Sequence, residues 1–510
     1  MTRNSSSLRI VVMGYVVRGP LAGPTWHHLQ YVRGLANLGH EVWFLEDSDD
    51  YASCYDPVQQ IVTADPSYGL AYAQRVFDRI GMGQRWGYFD AMQNSWHGPA
   101  GHSMVALCRS ADMVINVSGV NALRPWVAEI AHRVLIDTDP VFMQVDILND
   151  APRRRFAESH NAFFTFGESF GLPGCTMPDD GLPWLPTRQP VLLDAWAPTP
   201  GRHDGRYTTV LLWDSYDVRE WQGQQYGMKS QEMERVLDMP ARCGRRFELA
   251  LGGPTAPHNR LAELGWQVAD PLAITCDPWD YQAYISQSKA EFSVAKHGYV
   301  ASASGWFSER SASYMALGRP VVVQDTGFSR HLPTGEGLLA FNDIDQAVAA
   351  VAEVDANYAR HCEAARGVIE SHFDARQVLS SLLERALAAP TAARPAPPAP
   401  GPPRPETSAC PPSTAKKPMP TPASGSTHCG PAATPGTWRP TPSSAPSTRP
   451  RPLCSTPTAA QGCNTAAHWK SAALQGPSHV AWRRAVRRCW ASTSPSQPSP
   501  WRRNATHSPT

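Results

Sequence analysis

The sequence predicts an α/β protein: two parallel-sheet domains followed by a disordered tail. Three observations carry this. Residues 8–45 read as strand, helix, strand, and a second such series restarts at Thr208 after a Pro/Gly break. Glu291–Asp325, EFSVAKHGYVASASGWFSERSASYMALGRPVVVQD, reads as strand, loop, helix, turn, strand. Beyond Ala389 no apolar periodicity returns. Strands joined through a helix are parallel, with a right-handed crossover. The 510 residues suffice for two or three cored domains. The expected boundaries are a first Rossmann-like domain at 1–196, a linker at 197–207, a second Rossmann-like domain at 208–389 and the tail at 390–510.

The formal charge of +1 hides a split. From Thr391 onward there are 14 Lys+Arg and one acid, Glu406, which leaves 32 basic residues of 46 and 44 acidic residues of 45 before it. The first part therefore has the acidic balance of an ordinary soluble enzyme. Six of the eleven Cys lie there, with no CxxC and no His at zinc spacing. Free thiols in a reducing compartment follow, hence a cytoplasmic protein. No run of 18 apolar residues exists to span a membrane, and the N-terminus enters a strand too soon for a signal peptide.

In the first domain, Leu8–Met13 is an apolar strand and Tyr15–Pro24 a Gly/Pro loop. Thr25 is placed to cap a helix carrying Leu29, Val32, Leu35 and Leu38 on one side, with Gly39 at its end, and Glu41–Leu45 is the next strand. The loop is not GxGxxG, which argues against a dinucleotide site. Ala111–Val117, Arg133–Ile136 and Ala162–Phe166 read as strands, with a helix at Ala122–Ala131. Asp47-Ser48-Asp49 and Asp137-Thr138-Asp139 each bracket one residue with carboxylates, a pattern able to chelate a hard cation. Both end strands, where Asp serves turns and caps, so no metal is expected. Asp137 faces the crevice where α/β ligands sit. Residues 171–195 are too rich in Pro and Gly for regular structure, and Trp184 and Arg188 there are candidates for an acceptor wall or for scaffolding.

In the second domain, Thr208–Leu212 restarts a strand, and Lys229 and Ser230 open a helix. A cation at a helix N-terminus opposes the dipole unless an anion meets it. Phe247–Leu251 leads into Gly252 and Gly253, a backbone tight enough to approach a nucleotide. In the Glu291–Asp325 stretch the small-residue loop feeds a helix capped by Ser308, with Arg310 and Ser311 in its first turn and Lys296 at the preceding strand end. Free N–H groups and the dipole's positive end suit a phosphate there. Gly318 is expected in a left-handed C-cap. Helices at Asp343–Val354, Ala356–His372 and Ala375–Ala388 close the domain.

The segment GWFSERSASYMALGRPVV resembles the second-domain signature of GT-B glycosyltransferases, through Met315, Ala316, Gly318, Pro320 and Val321. It also looks like a less characterised branch of bacterial glycosyltransferase-like proteins. The resemblance covers roughly residues 8–388 and is strong only in 291–325. Retaining enzymes of that type carry two glutamates eight residues apart; Gly305 and Ser313 stand at those places here.

The resemblance implies transfer of a sugar from a nucleotide-diphosphate donor to an acceptor hydroxyl. Lys229, Lys296, Ser308, Arg310 and Ser311 would meet the donor diphosphate, and Gly252 and Gly253 the nucleotide. His27 or His28 would face the inter-domain cleft as general base, with Asp137 nearby. Fixed cations would make a metal cofactor unnecessary. A non-catalytic nucleotide or glycan binder and a sugar-nucleotide epimerase share the architecture. The tail, rich in Pro, Ala, Ser and Thr, cannot bury enough apolar surface to order itself. It reads either as a basic arm for nucleic acid or anionic lipid, or as out-of-frame translation of a GC-rich gene.

Overall fold

The structure, a computed structural model, describes residues 7–390 apart from Arg245. The expectations for the tail lie outside the described residues. The first sheet holds β1 (Arg9–Met13), β2 (Glu41–Asp47), β3 (Trp86–Asp90), β4 (Ser95–His97), β5 (Met113–Val117), β6 (His132–Asp137), β7 (Ala162–Thr165) and β8 (Leu185–Pro186). Their order is β8-β7-β6-β5-β1-β2-β3-β4, parallel throughout except for the β3–β4 hairpin. The second sheet holds β9 (Tyr207–Leu212), β10 (Phe247–Gly252), β11 (Gln267–Ala269), β12 (Ala290–Ser293), β13 (Val321–Gln324) and β14 (Leu338–Phe341). Its order is β11-β10-β9-β12-β13-β14, all parallel.

Central strands such as Val11–Met13 and Val321–Val323 are fully buried, as strands covered by helices on both faces must be. In each sheet the chain winds outward to one side of its first strand, then returns and winds to the other. The reversals fall between β1 and β5 and between β9 and β12. Ligands of open α/β sheets gather at the carboxyl ends of strands flanking such a reversal.

Two predicted helices are corrected. The first begins at Ala22, not after Thr25, and runs to Asn37 with Leu21 at its N-cap. Pro24 fits its first turn because N–H groups there have no intrahelical acceptor. Thr25 instead shares a 2.9 Å hydrogen bond with the Tyr72 hydroxyl. The helix predicted at Ala122–Ala131 shrinks to Pro125–Ala128, because a residue before proline is pushed out of the helical region and Arg124 sits at ψ 160°. The C-cap at Gly318 has φ 73°, as expected.

One apolar core runs through both sheets' helical layers. Trp26 of the first helix donates Nε1–H to the Pro278 carbonyl at 2.8 Å and packs on Trp196 and Trp279. The last helix, Ala375–Ala388, returns to the first domain. Gly34 makes room for it: a Cβ there would lie 2.5 Å from Leu379 Cδ1. Leu379, Leu382 and Leu383 are buried along this contact, each contributing about 1.5–3 kcal/mol of burial.

Segment 197–206 connects the sheets. Arg319 is fully buried and donates to the Thr199, Pro200 and Ser286 carbonyls at 3.0, 2.8 and 2.7 Å, which ties the segment to the second domain. Among the described residues no helix is long and apolar enough to cross a membrane.

Candidate functional site

The carboxyl ends of β1, β5, β6, β9, β10 and β12 face one cleft of about 1360 Å³, counting the part open to solvent. His27, Ser118 and Asp139 line it from the first domain, and Lys229, Gly252, Lys296, Ser308, Glu309 and Arg310 from the second.

The closest-held group on the seam is Asp139, which follows β6. Its oxygens accept from Lys296 Nζ at 2.7 and 2.9 Å, from the Tyr216 hydroxyl at 2.6 Å and from the Tyr299 hydroxyl. Lys296 also donates to the Tyr216 oxygen at 2.6 Å and lies 4.8 Å from the Phe142 ring centre. Burial alone would raise the Asp139 carboxyl, but Lys296 and the two phenols hold it below the ordinary carboxylate range. Burial first, then the Asp139 charge, push both phenols well above theirs. Lys296 is thus committed across the seam, and the expected phosphate contact is corrected: its charge meets Asp139.

Asp137 is fully buried and does not line the cleft. It accepts from Thr165 Oγ1 at 2.7 Å, Gln144 Nε2 at 3.0 Å and the Asp139 N–H at 2.9 Å. Burial pushes its carboxyl up to about 7 against the pull of these donors. The catalytic role expected of Asp137 is therefore corrected: it fixes the loop that presents Asp139. That loop is strained, with Val141 at φ 68°, and Ser118 opposite it stands at φ 64°. A branched residue there costs about 1–3 kcal/mol, held by Gln144 Oε1 accepting the Val141 N–H at 2.7 Å.

The two histidines separate. His28 is buried, its Nδ1 2.6 Å from the Pro24 carbonyl and its Nε2 accepting the Tyr15 N–H at 3.4 Å. Those bonds fix the Nδ1–H tautomer, and burial, then His27, hold its pKa well below the ordinary value. Gly14 is required beside it, since a Cβ would lie 1.9 Å from His28 Cδ2. His27 lines the cleft.

Arg310 lies in the cleft wall, but its guanidinium turns inward. Nε meets the fully buried Glu291 at 2.5 Å, Nη1 the Val210 carbonyl at 2.8 Å and Nη2 the Ser293 hydroxyl at 2.7 Å. The expected phosphate fork is corrected to the partner of a structural carboxylate. Ser308 caps the helix Glu309–Ala316, accepting the Arg310 N–H at 3.2 Å. Ser311 lines a separate small cavity with Ser293 and Gln324. Gly252 ends β10 in the cleft wall; Gly253 follows at φ 119°, where a Cβ would lie 3.2 Å from that of Trp213. Lys229 opens the helix Lys229–Met233 within the same wall.

Other carboxylates are occupied. Asp47 is held bidentately by Arg124 at 2.8 and 3.0 Å, and Asp49 lies 3.2 Å from Arg18. Glu46 accepts from three successive backbone N–H groups, Val16, Val17 and Arg18, at 2.6–2.7 Å. Burial still raises its carboxyl against the pull of Arg18 and these amides. Trp184 and Arg188 are scaffolding: Trp184 Nε1–H bonds Asp180 at 3.0 Å, and Arg188 is bidentate to Glu168 at 2.6 and 2.9 Å.

Sequence reasoning missed Glu309, Tyr15, Ser118 and Asp139 as cleft residues. The one signal was the second carboxylate of Asp137-Thr138-Asp139; an acid at a helix's first position, as at Glu309, is common for dipole reasons alone.

The fold is GT-B-like: two Rossmann-like domains share one cleft, and the last helix packs back on the first. No family model and no curated protein matches the chain. Among solved structures it is similar to an α-glucosyltransferase in complex with UDP, at 11% identity and TM-score 0.45 over 75% of this chain and 100% of that one. It is similar to the sucrose-phosphate synthase of Thermosynechococcus elongatus, at 12% and 0.42 over 75% and 99%. Anabaena HepE in complex with UDP is similar at 10% and 0.43, over 75% and 100%.

Proposed function

We propose that the chain transfers a sugar from a nucleoside-diphosphate donor to an acceptor hydroxyl. One observation carries this reading. The switch points of both sheets open on a single cleft, with His27 on one wall and Lys229, Gly252 and the Ser308-capped helix start on the other. The diphosphate would rest against Lys229 and the positive end of the helix Glu309–Ala316. That end and the ammonium stabilise the charge on the leaving phosphate oxygen, the main electrostatic task of such a transfer. Gly252 lets the donor approach the backbone closely. His27 would take the proton of the acceptor hydroxyl, a task suited to an imidazole at neutral pH.

Calorimetric titration of UDP, GDP and ADP tests the donor site. Nucleoside-diphosphate release from sugar nucleotides, with and without an acceptor, tests the reaction. Acceptor-dependent release is expected. Binding with no turnover would make the protein a nucleotide binder, and interconversion of the donor without acceptor would make it an epimerase.

A further inference from the structure

His27 and Glu309 belong to the walls of two adjoining cavities. The cleft includes both, and so does a smaller cavity behind it, bounded further by Gln189 and Ser313. The residues common to the two walls are Gly23, His27, Tyr281, Glu309 and Arg310, so these form the partition between them. His27 reaches the partition from the first domain, in the second turn of its helix; Glu309 reaches it from the first turn of a helix in the second domain. The cleft's other carboxylate, Asp139, is already held by Lys296 and two phenols. The charge of Arg310 is taken by Glu291.

We propose that Glu309 is the positioning residue for His27, a carboxylate lent to the base by the opposite domain. The inference rests on the transferase reading above. One ring nitrogen of His27 takes the acceptor proton while the N–H of the other is held by Glu309, which stabilises the imidazolium as it forms. The acceptor oxygen then bonds to the anomeric carbon, the bond from that carbon to the phosphate oxygen breaks, and its electron pair leaves on the nucleoside diphosphate. The imidazolium later returns its proton to solvent. Because base and carboxylate come from different domains, the base is complete only when the seam is closed.

Other groups face the imidazole. On its own helix the rings of His28 and Tyr31 lie 5.2 and 5.8 Å away. Phe166, after β7, lies at 5.9 Å and carries no charge. Tyr281 and Arg310 share the partition, and Tyr15, Lys229, Tyr299 and the Asp139–Lys296 pair line the cleft beyond.

The test is a pH titration of the full chain labelled at histidine Cε1 and read by NMR, with the His27 signal identified by its loss in His27→Gln. Glu309→Gln is expected to lower the His27 midpoint by on the order of one pH unit, with Glu309→Asp between it and the wild type. An unmoved midpoint overturns the proposal, including when the melting temperature falls, since a purely structural Glu309 would give that result. Should Glu309→Gln fail to fold, the smaller shift of Glu309→Asp decides. This readout needs no turnover, so it stands whether or not the transferase reading does. With a substrate in hand, the acidic limb of the kcat profile is expected to move with the midpoint.

Discussion

Lys296 of the second domain donates to both carboxylate oxygens of Asp139 of the first, at 2.7 and 2.9 Å, with neither side chain more than a tenth exposed. Removing one member of a buried pair leaves an uncompensated charge and costs about 3–5 kcal/mol. Lys296→Met and Asp139→Asn are each expected to lower stability by that order in urea unfolding. The double variant is expected to recover part of the loss. The pH sign follows from the depressed Asp139 carboxyl. Its contribution is fully present above the unfolded value of about 3.9 and is lost as pH falls through the lower folded value.

Asp137 has the opposite sign. Its carboxyl is raised to about 7 in the fold, so between the unfolded value of about 3.9 and that value the native state holds the extra proton. Stability then declines as pH rises through this window. Asp137→Asn is expected to flatten the decline, with the variant faring better relative to wild type at pH 8 than at pH 4. Melting temperatures across that range check it.

Arg310→Ala is expected to weaken the fold by about 3–5 kcal/mol, because it strands the buried Glu291. Affinity for UDP, GDP and ADP is expected to change little in whatever fraction remains folded. A loss of affinity without a loss of melting temperature would return Arg310 to the phosphates.

Lys229→Met is expected to weaken nucleoside-diphosphate binding by roughly 1.5–3 kcal/mol, the worth of one charged hydrogen bond. Nucleosides lacking phosphate should bind both proteins alike. Calorimetry on the two ligand classes separates this from a general distortion of the cleft.

Transfer is expected to survive EDTA. Asp47 and Asp49 are engaged by Arg124 and Arg18, and Asp139 by Lys296, so a divalent cation would have to displace fixed cations to bind. Activity lost to chelator and restored by Mn²⁺ would overturn this.

The layered fold was readable because it rests on local signals: apolar strands such as Val321–Val323, the Ser308 cap and the Gly318 turn. The β3–β4 hairpin and the helix Ser67–Arg79 were not foreseen. Part of the site was legible too: His27, Lys229, Gly252 and Ser308 all reach the cleft. The failures share one cause. Whether Lys296 or Arg310 meets a ligand depends on whether Asp139 or Glu291 has claimed it. Those partners lie 157 and 19 residues away, beyond any periodicity. Asp137 and Asp139 lie two residues apart, and only the packing of the loop after the strand brings Asp139 into the cleft wall.

The three amides that close on Glu46 form a cradle of the kind that elsewhere receives a phosphate. Here the anion is tethered to the neighbouring strand and cannot be washed out or outcompeted by a dissolved ion.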